Sequence, residues 1–149
     1  MLRTFFPVLS LMLVSFNSFS QKSFNSFSQK ANDFLVGGAF DLIKTDNEGF
    51  IQKAQVGGEF NYFITRNFTA TGGLDIWANN VMSAVVGARF YPLDHFFVRG
   101  RGLIGKNDLS LGAGWSKPIG SNFRFEAIGD FYFEGEFAIR VGFMYLIRR

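Results

Sequence analysis

From residue 33 onward, apolar and polar side chains alternate one by one in eight runs. The clearest is the stretch NFRFEAIGDFYFEGEFAIRVGFMYLI, residues 122 to 147. Phe123, Phe125, Ala127, Phe131 and Phe133 share one face of its first half, opposed by Arg124, Glu126, Ile128, Asp130 and Tyr132. Phe137, Ile139, Val141, Phe143, Tyr145 and Ile147 continue the apolar face in its second half, against Ala138, Arg140, Gly142 and Met144. A period of two means β-strand, because successive side chains point to opposite faces. Two such runs around Glu134-Gly135-Glu136 predict a hairpin.

The same device recurs upstream. Strands are predicted at about 33–42, 51–63, 68–77, 81–91, 96–104 and 109–116, before the final hairpin. Short polar or turn-forming segments separate them, among them KTDNEG at 44–49, Thr65-Arg66-Asn67, Ala78-Asn79-Asn80, Pro92 to His95 and Lys106-Asn107-Asp108. No segment has helical periodicity, and no internal linker appears. Eight short antiparallel strands with short turns predict an all-β, closed up-and-down barrel, which leaves no exposed edge.

Composition narrows the class. The chain has 149 residues, which suits one domain. Aromatic residues make up 18%, mostly Phe, and charged residues only 18%. No apolar run reaches the ~18–20 residues of a spanning helix. The net charge of +3 comes from scattered bases, which argues against nucleic acid as a partner. There is no cysteine, so disulfides, thiolate metal sites and a lipid anchor on Cys are excluded.

Residues 1 to 20 have the form of a signal peptide: Arg3, an apolar core from Phe5 to Phe16, then small residues at Ser18 and Ser20. The octapeptide SFNSFSQK occurs twice in tandem, at 15–22 and 23–30, so Ser26-Phe27-Ser28 repeats the cleavage context. Cleavage is expected after Ser20, with Ser28 also satisfying the rule. The expected layout is a signal peptide at 1–20, a polar N-terminal tail at 21–32 and the barrel at 33–149.

A soluble, lipocalin-like barrel puts its apolar face inside; a membrane barrel puts it outside, with polar residues in the lumen. Three features predict the second. The polar face is rich in Gly, Ser and Thr with charges of both signs, and an eight-stranded interior is just wide enough for side chains to fill. It carries Asp41, Glu59, Asp75, Arg89, Arg99, Arg101, Arg124, Glu126, Asp130 and Arg140, a predicted lumen charge network. Every strand also contributes one aromatic residue at the same end: Phe34, Tyr62, Phe68, Phe90, Phe96, Trp115, Phe123 and Tyr145. Such a ring is what a lipid-facing interfacial girdle requires. The third feature is the export signal.

The signal, the eight alternating runs and the strand-turn-strand GARFYPLDHFFVRG (87–100) resemble the small OmpA/OmpX-like outer-membrane beta-barrel proteins of Gram-negative bacteria. The resemblance covers residues 33 to 149. It implies an eight-stranded transmembrane barrel in the outer membrane, exported through a cleaved signal peptide. It also implies contact with outer-membrane lipid and with the barrel-assembly machinery during insertion, and a monomer. It carries no catalytic residue and no cofactor. Members of the family usually end on an aromatic residue that aids assembly. This chain ends Tyr145-Leu146-Ile147-Arg148-Arg149, which implies a weaker insertion signal with Tyr145 as the substitute. The function expected is a non-enzymatic structural or surface-interaction role without an open pore. A lipid- or peptide-modifying enzyme of the outer membrane and a secreted ligand-binding barrel are the alternatives.

Motifs that suggest chemistry have simpler readings. Gly100 to Gly105 matches G-x-G-x-x-G, but it lies inside an alternating strand and no helix follows, so a dinucleotide site is not expected. His95, the only histidine, falls in a turn beside Asp94 and at the end opposite the outer rim, where outer-membrane hydrolases keep their sites. One histidine also makes an imidazole metal cluster implausible. Glu126 and Asp130 share a face with Arg124 and lie near Arg140, so structural ion pairing is expected over acid–base chemistry. Asn67-Phe68-Thr69 is a glycosylation sequon without meaning in a bacterium. Counting back from a turn at Glu134-Gly135-Glu136 places Phe133 opposite Phe137 and Asp130 opposite Arg140, which predicts a buried ion pair between them, the alternative being that each charge is hydrated near the outer rim. Val141→Arg is expected to be damaging, and Gly142→Ser on the lumen face to be tolerated if there is room.

Overall fold

The computed structural model describes residues 29–44 and 55–149. The signal peptide, nearly all of the tandem octapeptide and the loop between the first two strands lie outside the described residues. Eight strands follow in chain order: β1 (Phe34–Lys44), β2 (Gln55–Thr65), β3 (Phe68–Trp77), β4 (Met82–Leu93), β5 (Phe96–Ile104), β6 (Asp108–Pro118), β7 (Phe123–Tyr132) and β8 (Phe137–Ile147). Each pairs antiparallel with the next, and β8 pairs with β1, so the sheet closes on itself. The strands are strongly staggered. A walk across paired residues from Phe34 passes Tyr62, Ala70, Ala88, Gly100, Leu111, Phe131 and Phe137. It returns to β1 beside Lys44, about ten residues further along. Such a stagger is geometrically linked to strand tilt, typically ~35–45° in barrels.

Three irregularities adjust this register. They fall at Asp41/Ile43 on β1, at Phe63/Thr65 on β2 and at Phe90/Leu93 on β4. The last contains Pro92, which has no N–H to give a ladder and therefore suits a bulge. Strand β4 runs on to Leu93, so the turn shrinks to Asp94 and His95.

Alternation sets two faces on every strand. The outward face carries the apolar row, and Val56 and Ile104 are each 60% exposed. All eight girdle aromatics point outward at the end of the barrel where β1 begins and β8 finishes. Phe34 stacks near Phe60 and Tyr62, and Phe123 meets Tyr145 edge to face at 5.0 Å. The inward face is buried.

The interior is filled in three layers. At the chain-terminal end Leu35, Phe63, Tyr91, Phe97, Ile128, Met144 and Leu146 form an apolar cluster. At the other end Trp77, Leu103, Tyr132 and Ala138 form a second. The charged side chains occupy the space between. Glycine makes that filling possible: a methyl group at Gly114 would overlap the Phe97 ring, and one at Gly57 the Asp75 carboxylate.

Two expectations need correction. The β7–β8 hairpin pairs Phe131, not Phe133, with Phe137. Gly135 adopts φ +97°, the Gly135 N–H reaches the Tyr132 carbonyl at 2.9 Å, and the Tyr132 N–H reaches Glu136 at 2.8 Å. This is a three-residue loop, 133–135, with a left-handed glycine; it starts one residue earlier than expected, which moves the register by two. Gly142, second, has no room for a side chain. An added Cβ would lie 2.6 Å from the Gly38 carbonyl oxygen and 2.8 Å from Ala39 Cβ, so Gly142→Ser is expected to be damaging.

The candidate functional site: a charged layer inside the barrel

The ten charged residues singled out in the sequence all point into the barrel. Five are carboxylates and five are guanidiniums, so the set is formally neutral. Their side chains come from seven of the eight strands, and only β6 contributes none. The reason is local: on β6 the facing position is Gly112, whose neighbours across the sheet are Arg99 on β5 and Asp130 on β7. Without a side chain in between, Arg99 reaches over β6 to Asp130, with Nε at 3.0 Å from Oδ1 and Nη2 at 2.5 Å from Oδ2.

Glu59 is the hub. It accepts from Arg99 Nη1 at 2.9 Å, from Arg101 Nη1 at 3.0 Å and from Arg89 Nη2. The other guanidinium nitrogen of Arg89 donates to both oxygens of Glu126, at 3.1 and 2.9 Å, and the guanidinium lies over the Phe97 ring. Arg101 also donates to Asp75 at 3.2 Å, to Asp130 at 3.3 Å and to the Tyr132 hydroxyl at 3.1 Å. Asp75 in turn takes a hydrogen bond from Gln55, whose Oε1 accepts from Tyr132 at 3.1 Å. Multiple partners per charge are what a buried ionic cluster requires, because an uncompensated charge away from water is expensive.

Arg140 is not the partner of Asp130. It lies opposite Ile128, and its Nε is 3.0 Å from Asp41 across the β1–β8 seam, with Nη1 3.5 Å from Asp75. The register shift of two explains the exchange: both residues keep their inward facing, but Asp130 now sits opposite Ala138. Arg124 lies nearer the chain-terminal end, two residues before Glu126 on β7. Its Nη2 donates to Gln29 Oε1 at 2.8 Å. Gln29 is 1% exposed, and the Asn32 N–H bonds the Phe63 carbonyl at 2.8 Å. The end of the segment expected as a polar tail is thus docked in the barrel mouth.

The opposite mouth holds a group that sequence reasoning missed. Lys44 and Lys106 lie 3.7 and 3.9 Å from the Trp77 ring centroid, and both pair with Glu136, at 3.0 and 3.4 Å. Alternation along β3 turns Trp77 inward, but no spacing signal joins it to Lys44 at the end of β1 and Lys106 in the β5–β6 turn.

The motifs lie as follows. Gly100 to Ile104 is the second half of β5, and Gly105 opens the next turn at φ +117°. His95 is exposed in the β4–β5 turn, where its carbonyl accepts from the Ser116 N–H at 2.8 Å. Asp94 beside it pairs with Arg66 at 3.1 Å. Glu126 and Asp130 are held by Arg89 and by Arg99 with Arg101. Among the described residues no group of His, Cys, Asp and Glu has the makings of a metal site. The arrangement neutralises charge inside the barrel.

No family model and no curated protein sequence matches this chain. A solved structure from the de novo design of transmembrane beta-barrels does, with a TM-score of 0.65. The two chains share their fold. At 16% identity, over 81% of this chain and 100% of that one, the likeness extends no further than the fold.

Proposed function

We propose that this chain is an integral outer-membrane β-barrel protein of the OmpA/OmpX-like kind, exported through a cleaved signal peptide. Its role is non-enzymatic: structural, or presenting a surface at the membrane. The observation that carries this reading is the inversion of the barrel. Phe60, Leu74, Val86, Leu111 and Phe143, on five different strands, are each between 45% and 57% exposed, while Arg89, Arg99, Arg101 and Arg140 are at most 3% exposed. In water that arrangement leaves a continuous apolar belt uncovered; in a bilayer the belt meets lipid and the charges are shielded. The lipocalin-like alternative needs the opposite facing. The filled interior supports a barrel that is not a pore, and charge-paired carboxylates support a structural use over acid–base chemistry.

The test is fractionation of cells producing the full chain. The protein should stay with outer membranes after an alkaline carbonate wash, and its N-terminus should lack the apolar segment. Recovery in the soluble fraction would contradict the proposal.

A further inference from the structure

We propose that the rim at the chain-terminal end binds anionic phospholipid headgroups; this rests on the membrane reading above. Among the described residues, that rim carries Lys30, Arg66, Lys117, Arg148 and Arg149 against only Asp33 and Asp94. The opposite rim carries Lys44 and Lys106 against Asp108, Glu134 and Glu136. The basic excess therefore belongs to one end, and it is the end with the aromatic girdle.

Register places these cations one step beyond the girdle. Lys117 is exposed and follows Trp115 on the same outward row of β6. Arg149 follows Tyr145 and Ile147 on the row of β8, and its guanidinium is 5.8 Å from the Phe34 ring centroid. Arg66 precedes Phe68 in the β2–β3 turn. Aromatic side chains settle at the glycerol and carbonyl depth of a bilayer, and phosphates lie just outside them. The cations thus fall at phosphate depth.

A receptacle of headgroup size is also present. An open notch of about 390 Å³ lies between residues 29–31 and Ile64-Thr65-Arg66, so it is flanked by Lys30 and Arg66. Its outer wall is Ile64, 51% exposed and one step beyond Tyr62 on the outward row of β2. Arg66 holds Asp94 at 3.1 Å, but both side chains are largely open to solvent, so the pair competes weakly with a phosphate. Cationic groups flanking an apolar wall fit a phosphodiester with its acyl chain; a zwitterionic headgroup would bring its own cation against them.

The two tryptophans allow a direct test. Trp115 points outward in the girdle, 47% exposed, and Trp77 is inside the barrel at 5%. A Trp77→Phe variant is refolded into vesicles containing phosphatidylglycerol or phosphatidylcholine brominated on the acyl chains, and quenching of Trp115 is measured at equal mole fractions. Anionic lipid is expected to be enriched about fivefold at Trp115, the effect of one well-placed cation at a membrane surface. The preference should fall toward one in a Lys117→Gln/Arg148→Gln/Arg149→Gln variant and at high salt. Equal quenching by the two lipids would overturn the proposal and leave the membrane reading intact. No quenching by either would overturn both. If Trp77→Phe does not fold, Trp77→Tyr serves, since it also leaves Trp115 as the single tryptophan.

Discussion

Arg99 and Asp130 are joined by a two-bond fork that spans a whole strand. Their Nε–Oδ1 and Nη2–Oδ2 contacts, 3.0 and 2.5 Å, pass over Gly112 of β6. A methyl group there would overlap the Asp130 carboxylate and lie 2.8 Å from the Gly129 carbonyl oxygen. Gly112→Ala should therefore lower unfolding stability by ~1–3 kcal/mol, the usual cost of overpacking. Equilibrium unfolding by denaturant in detergent measures it, and a neutral effect would mean that the fork does not pass over β6.

The fork also predicts a coupling. Arg99→Met or Asp130→Asn alone should each cost ~3–5 kcal/mol, because each strands charge inside the barrel. The double variant should cost less than the two together, with a coupling of ~0.5–3 kcal/mol. The same cycle on Asp130 and Arg140 should give the smaller coupling. The reverse order would restore the pairing expected from the sequence and contradict the observed register.

How far the sequence carries is clear from this pair. Facing depends only on parity, and parity survives an even shift. Arg99, Asp130, Arg140 and the other seven charges could therefore be placed inside from alternation alone. Partners depend on register, and register on how one turn is built. The three-residue β7–β8 loop, with its left-handed Gly135, begins one residue earlier than alternation suggests, and the bulge at Asp41/Ile43 is equally silent. The docking of Gln29 on Arg124 had no sequence signal, because a polar segment before a strand looks the same free or bound. The room at Gly142, on which tolerance of Gly142→Ser depends, is hidden for a related reason: glycine in a strand reads as tolerance, whereas here it permits close approach of β1.

The outward face gives a prediction of opposite kind. Val86 is 52% exposed near the middle of β4. Val86→Arg should cost ~2–4 kcal/mol in bilayers, as a charge facing lipid at the midplane does. Ser110→Ala, on the inward face of β6, removes a hydroxyl without adding volume or charge and should stay within ~1 kcal/mol. Equal losses in folded yield from the two would contradict the assignment of faces.

The layered interior predicts electrical silence. The cluster around Phe63, Tyr91 and Phe97 closes one end, the Arg–carboxylate layer fills the middle, and Lys44, Trp77 and Lys106 cap the other. Pure protein in planar bilayers should show no steady conductance, and a reproducible ion-selective current would require a path that these side chains do not leave.

The closed barrel should be stable with its apolar face against an amphiphile. The most direct test is migration in detergent gels after refolding. A barrel without a free edge should resist dodecyl sulfate until boiled, so unboiled and boiled samples should run as two distinct bands. Identical migration of the two would contradict a closed barrel that is stable in detergent.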